Sequence, residues 1–169
     1  MHRISITGPE SSGKTSLVKA LANFYHCPYT EEYARSFLER KGGEYAQNDL
    51  LTILEGQLKL EVNESTKKGN YLFCDTDPLV IWIWSKVKFG SVHPVITKAW
   101  KDHLYDLYIL VYPDLPWEYD PLRENKNDRD VLFAMYEEKL KTEKRPYIIV
   151  KGSQENRLSM AISSLRKLM

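Results

Sequence analysis

The sequence predicts one α/β domain, a five-stranded parallel sheet with helices on both faces. Three observations predict it. Strand-like and helix-like segments alternate along all 169 residues. The strand-like segments are continuously apolar, as strands covered on both faces must be. The third is a motif in its proper setting: Gly8-Pro9-Glu10-Ser11-Ser12-Gly13-Lys14-Thr15 reads G-x-x-x-x-G-K-[ST] between a strand and a helix. That places the fold in the P-loop NTPase class.

The elements follow in order. Arg3-Ile4-Ser5-Ile6-Thr7 reads as the first strand. Ser16 to Tyr25 reads as a helix, with Leu17, Val18, Leu21, Ala22 and Tyr25 on one face. Pro28-Tyr29-Thr30 is a short second strand, and Glu31 to Arg35 opens a helix that Gly42-Gly43 ends. Gln47 to Lys68 reads as a long helix with Leu50, Leu51, Leu54, Leu58 and Val62 on one stripe, stopped by Gly69-Asn70. Tyr71 to Cys74 is a buried strand ending at Asp75. Leu79 to Trp84 is strand-like in composition. Asp77-Pro78 before it is a cap followed by proline at a first helical position, so a largely buried helix is expected. Val92 to His103 adds a helical stretch, and Leu107 to Val111 is a strand. Pro113 to Asn127 is rich in Pro, Asp and Asn and reads as a loop. Asp128 can cap a helix to about Thr142, and Tyr147 to Val150 is the last strand. Ser153 can cap a final helix with Leu158, Ala161, Ile162, Leu165 and Met169 on one face. No linker or repeat interrupts the pattern, so residues 1–169 are expected to form a single domain, with a lid at about 113–128.

Composition narrows the partners. Lys and Arg number 24 against 23 Asp and Glu, a formal net charge of +1. That balance gives no expectation of nucleic acid or an acidic membrane surface. The longest apolar run, Pro78 to Trp84, is far shorter than a bilayer span. A strand starting by residue 3 leaves no room for a signal peptide. Cys27 and Cys74 form neither a metal-ligand spacing nor a disulfide framework, so reduced thiols in a cytoplasmic protein are expected.

The chemistry starts at the glycine loop. Backbone N–H groups over Gly8 and Glu10, Ser11, Ser12, Gly13, Lys14, Thr15 and Ser16 can wrap phosphates, and the helix N-terminus adds positive potential. Lys14 is expected at the β- and γ-phosphates of ATP or GTP, and the Thr15 hydroxyl on Mg²⁺. In such sheets ligands sit beyond the carboxyl ends of the strands. Asp75, at one such end, is a second expected Mg²⁺ residue. Asp77 either shares that site or caps a helix. Glu31 and Glu32 follow the second strand, where a carboxylate can orient an acceptor hydroxyl and take its proton. Glu32 and Arg35 share a helix face; they touch a small substrate together or form a surface ion pair.

The loop from Pro113 to Asn127 carries Trp117, Tyr119, Asp120 and Arg123, with Arg129 at the following helix start. Arginines on a lid clamp a transferring phosphoryl group and help exclude water, as a kinase requires. Trp117 and Tyr119 either stack on a planar ring or pack the lid. Gly152-Ser153 follows the last strand and is expected to border adenine. Asn125-Lys126-Asn127-Asp128 spells N-K-x-D, a guanine signature, yet it opens a helix far from the preceding strand. The companion D-x-x-G is missing, because Asp75 is followed by Thr76-Asp77-Pro78. The match is read as accidental.

Four blocks in this order carry a family resemblance: Thr7 to Thr15, Glu32-Tyr33-Ala34-Arg35, Asp75-Thr76-Asp77, and Pro116-Trp117-Glu118-Tyr119-Asp120-Pro121-Leu122-Arg123. Together they resemble the ribosylnicotinamide kinase domain of NadR-type proteins, within the AAA-like P-loop ATPase/kinases. The resemblance spans nearly the whole chain. It implies ATP- and Mg²⁺-dependent phosphorylation of the 5′-hydroxyl of nicotinamide riboside. Under it, Glu32 or Asp77 orients the hydroxyl, Arg123 and Arg129 stabilise the moving phosphoryl group, and Trp117 and Tyr119 hold the pyridine ring. Family members often carry an adenylyltransferase and a helix-turn-helix domain, neither of which is expected in a chain this short. One position departs: Pro121 stands where the family has glycine, which stiffens the lid backbone. Two alternatives stay open. One is a kinase for another nucleoside or nucleotide, with Arg35 and Arg40 as added cations for the latter. The other is a regulatory switch with slow turnover and no small acceptor. Oligomeric state is not legible.

Overall fold

The computed structural model describes residues 1–168. Met169, expected on the last helix face, lies outside the described residues. Among these residues the chain runs β1 (His2–Thr7), α1 (Lys14–Tyr25), β2 (Tyr29–Thr30), α2 (Tyr33–Lys41), α3 (Asp49–Ser65), β3 (Tyr71–Asp75), α4 (Pro78–Phe89), α5 (Pro94–Asp102), β4 (Leu107–Val111), α6 (Arg129–Thr142), β5 (Tyr147–Val150) and α7 (Gln154–Leu165). The five strands form one parallel sheet in the order β2-β3-β1-β4-β5. In register, Ile4 faces Phe73 on one side and Leu107 on the other. Helices cover both faces, so successive strand residues feed two cores. Ile4, Ile6, Phe73, Ile109 and Val111 pack against α1 and α7. Leu72, Cys74, Tyr108 and Leu110 pack against α4, α5 and α6. A third cluster joins Ala34 of α2 with Leu50, Ile53 and Leu54 of α3, Ile81 of α4 and Ile96 of α5.

The strand-like segment from Leu79 to Trp84 is helical, as its Asp-Pro start implies. Asp77 Oδ1 accepts from the Val80 N–H (3.0 Å), and Pro78 takes the first position. The long third helix differs in two respects. It ends at Ser65, short of Gly69, and its inward stripe is Leu50, Ile53, Leu54, Gln57 and Glu61. Val62, expected inside, is 58% exposed. Polar residues face inward here because partners satisfy them. Glu61 accepts from Tyr105 OH (2.6 Å) and pairs with His103 Nε2 (2.8 Å). Asp128 sits at the N-cap of α6 without a side-chain cap bond among the described residues, whereas Ser153 caps α7 by accepting from Asn156 N–H. Both cysteines are free thiols. Among the described residues no helix is long and apolar enough to cross a membrane.

Candidate active site

One cleft of about 370 Å³ opens beyond the carboxyl ends of the strands. Its floor is the loop from Gly8 to Thr15, and Ser16 also lines it. Gly8 has φ 133°, and a Cβ there would fall 2.9 Å from Val111 O at the end of β4. Only glycine lets the loop leave β1 this close to its neighbour. Gly13 takes φ 89° as the residue that starts α1. Lys14 Nζ donates to Gly8 O (2.9 Å) and Pro9 O (2.8 Å), so its ammonium curls over the loop.

Asp75 ends β3 behind this floor. It is buried and accepts from Thr15 Oγ1 at 2.6 Å. Its Oδ1 is buried and finds no partner among the described residues. Burial, with the Glu32 carboxylate nearby, pushes its carboxyl up to about 6. A hydroxyl beside a carboxylate with a free buried oxygen suits Mg²⁺, which takes few protein ligands and completes its shell with phosphates and water. Gln57 of α3 braces this corner. Its amide donates to Asp75 O and Glu31 O (3.3 Å each), and its Oε1 accepts from Tyr33 N–H (2.9 Å). Thr76 then turns the chain with φ 83°, an uncommon conformation for a β-branched residue. The turn sends Asp77 the other way. Asp77 is fully buried, accepting from Ser5 Oγ and Val80 N–H.

The lid lies on the glycine loop. Glu10 Oε1 accepts from the N–H groups of Glu124 (2.9 Å) and Asn125. Ser11 Oγ accepts from Glu118 N–H (3.0 Å) and Arg123 Nη1 (3.3 Å). Arg129 Nη1 donates to Ser11 O and Leu115 O (3.0 Å each). Asp120 pairs with Arg35 across the cleft mouth (2.8 Å), which holds its carboxyl below the usual range, backbone N–H donation from Leu122 being the larger cause.

The far end of the cleft is aromatic. Tyr45 and Trp84 meet edge to face, with centroids 4.9 Å apart, and Leu38, Val80, Ile83 and Val87 continue the wall. Trp84 Nε1 donates to Tyr45 OH (2.5 Å), which donates to Glu124 Oε2 (3.0 Å). Lys88 pairs with Glu124 Oε1 (2.5 Å) and lies 3.7 Å from the Tyr45 ring centre. One lid residue, Glu124, thus touches both ends: its backbone is held by Glu10 and its carboxylate by Tyr45 and Lys88.

A family model described as an AAA domain matches residues 3–157. The chain belongs to this AAA domain family. The AAA domain is also similar to the trifunctional NAD biosynthesis/regulator protein NadR of Salmonella typhimurium, 27% identical over 100% of this chain and 43% of that protein. For NadR of Escherichia coli K12 the identity is 29% over 82% of this chain and 36% of that protein. The chain therefore spans less than half the length of these relatives. Among solved structures, a NadR protein in complex with NR superposes with TM-score 0.82 at 23% identity, covering 98% of this chain and 51% of that one. A deoxyadenosine kinase from M. mycoides gives TM-score 0.69 at 13% identity, covering 98% of this chain and 99% of that one. These structures share the fold. The NadR-type resemblance read from the four sequence blocks agrees with these relatives.

Within the AAA domain the expected site residues divide. The loop residues, Glu32, Arg35 and Arg123 all line the cleft, and Asp75 backs it through Thr15. Most of the other expected residues have partners of their own. Glu10 lines the cleft with the loop, and its carboxylate accepts from the lid backbone. Asp77 lies under the sheet end as a helix cap, because Ser5 and Val80 use both its oxygens. Arg129 fastens the lid base, with Trp117 stacked on it at 5.8 Å, and both lie outside the cleft wall. Tyr119 is 87% exposed. Ser153 caps α7 and Gly152 donates to Asp114 (2.7 Å) away from the cleft, where Gln154 lines it instead. Sequence reading missed Tyr45, Trp84, Lys88, Glu124 and Arg157. Trp84 did carry a signal: an indole in a helix with an exposed flank beside the motif strands.

Proposed function

We propose that this domain is an ATP-dependent kinase of a nucleoside 5′-hydroxyl, with nicotinamide riboside as the acceptor. The observation that carries it is the single cleft joining a phosphate loop to an aromatic corner under one lid. The loop and Lys14 hold the triphosphate, and Glu32 lines the same cleft. The acceptor oxygen attacks the γ-phosphorus, the bond to the β-phosphate oxygen breaks, ADP leaves, and Glu32 takes the hydroxyl proton. Glu32 is suited because it lines the cleft and spends no cap bond on α2 among the described residues, whereas Asp77 is sealed away. Arg123 reaches the loop from the lid and balances charge on the moving group. Thr15 and Asp75 would hold a Mg²⁺ ion, which would supply neutralisation of phosphate charge.

The NadR-type relatives favour a nicotinamide ring as the acceptor's base, and the corner offers the Trp84 indole as an apolar surface for a planar ring, while Lys88 lies 3.7 Å from the Tyr45 ring centre and already pairs with Glu124. A panel of nucleosides with ATP and Mg²⁺ tests this, with ADP followed and products weighed by mass spectrometry. The reading expects one added phosphate on nicotinamide riboside in preference to adenosine, cytidine and uridine. Preference for a neutral nucleoside would keep the kinase and discard the acceptor. ADP release indifferent to every acceptor would favour the slow switch.

A further inference from the structure

We infer that Arg157 is a positioning residue that sets the amide direction of the phosphate loop; this rests on reading that loop as a triphosphate site. Arg157 lies on α7, far from the loop in sequence, yet its side chain is only 1% exposed. Its guanidinium uses every edge. Nε donates to Gly152 O (2.8 Å), and Nη2 donates to Tyr112 O (3.0 Å) and to the Asp114 carboxylate. Nη1 donates to Ser12 O, inside the loop itself. Asp114 also accepts from Gly152 N–H, so the fork ties the end of β4, the turn before α7 and the loop into one unit.

The geometry points to a role beyond packing. In a trans peptide the carbonyl and the next N–H point in opposite directions. Drawing Ser12 O down onto Arg157 therefore turns Gly13 N–H toward the cleft, where phosphate oxygens need donors. Ser12 Oγ fixes the same residue from the other side by donating to Pro9 O (2.7 Å). Gly13 is matched to this arrangement: a Cβ there would fall 3.0 Å from Arg157 Nη1. Lysine has the charge without the fork, so it cannot hold Ser12, Tyr112 and Gly152 together.

The test is a titration with mant-ATP on wild type, Arg157→Met and Arg157→Lys, with thermal midpoints recorded and the KM for the nucleoside acceptor measured separately. Per folded molecule, Arg157→Met is expected to weaken mant-ATP about tenfold, as loss of charge-assisted hydrogen bonds does, and Arg157→Lys about threefold. The acceptor KM stays at the wild-type value. A lower thermal midpoint with unchanged mant-ATP affinity in both variants means a purely structural arginine and overturns the inference. Should Arg157→Met fail to fold, Arg157→Lys decides by the same criterion. A wild type that fails to bind mant-ATP refutes the triphosphate reading itself, and the inference falls with that premise.

Discussion

The two ends of the cleft are built by different means. The phosphate end is made of backbone from one continuous stretch, Gly8 to Ser16, with its shape fixed by positive φ at Gly8 and Gly13. The aromatic end is made of side chains from separate segments: Tyr45 after α2, Trp84 and Lys88 on α4, Leu122 and Glu124 on the lid. A backbone site requires specific residues at specific spacings, because only certain residues permit the turn. A side-chain site requires only that suitable groups arrive at one place, which any fold can arrange from many sequence positions. In the proposed reaction the first end would recognise a feature common to all nucleoside triphosphates, and the second would select what receives the phosphate.

If this contrast holds, damage at the two ends should separate in kinetics. The largest effect is at the phosphate end: Lys14→Ala should lower turnover about a thousandfold, since one fixed charge on the transferring group is lost. Steady-state rates with saturating ATP check it. At the other end, Trp84→Ala should raise the acceptor KM about tenfold while the ATP KM is unchanged. A matching rise in ATP KM would break the division. Glu124 and Glu10 sit where the ends join. Glu10→Ala frees the lid and should raise acceptor-independent ADP release about threefold, with Glu10→Gln nearer wild type because it keeps an oxygen acceptor. Unchanged coupling in Glu10→Ala would mean the lid closes without it.

One pH dependence belongs to the phosphate end. The Asp75 carboxyl is raised by burial to about 6 from an ordinary 3.8. A raised value means the folded protein holds this proton more tightly. Its contribution to stability is full below about 4 and lost as pH rises through about 6. Mg²⁺ needs the carboxylate, so the Mg²⁺-dependent gain in mant-ATP affinity should grow as pH rises through about 6. A flat gain between pH of about 5 and about 7 would contradict Asp75 as the metal's carboxylate. The smallest effect expected is none: Tyr119→Ala should leave the acceptor KM at its wild-type value, as its ring is solvent-exposed.

The sequence was informative where local chemistry dictates structure. The glycine loop, the Asp-Pro start of α4 and the five apolar strands needed only neighbouring residues to be read. It was less so where a tertiary partner reverses a local preference. Gln57 and Glu61 face inward on α3 because Tyr33, Tyr105 and His103 satisfy them, and that displaced Val62 to the surface. Arg157 carries no local signal, because its role depends on carbonyls of Ser12, Tyr112 and Gly152 that only the fold brings to it. For the lid aromatics Trp117 and Tyr119 the sequence leaves ring stacking and lid packing open, and only the tertiary contact of Trp117 with Arg129 separates them. The residues that form the aromatic corner lie one on either side of α3, and nothing in their spacing announces the meeting.

The most direct test of the two-ended cleft is a crystal structure with AMP-PNP and nicotinamide riboside bound together. The account predicts the triphosphate mimic along Gly8 to Thr15 and the pyridinium against Tyr45 and Trp84. The riboside 5′-oxygen should lie between Glu32 and the γ-phosphate. A pyridinium seated on Trp117 or Tyr119, with the Tyr45–Trp84 corner empty, would contradict it.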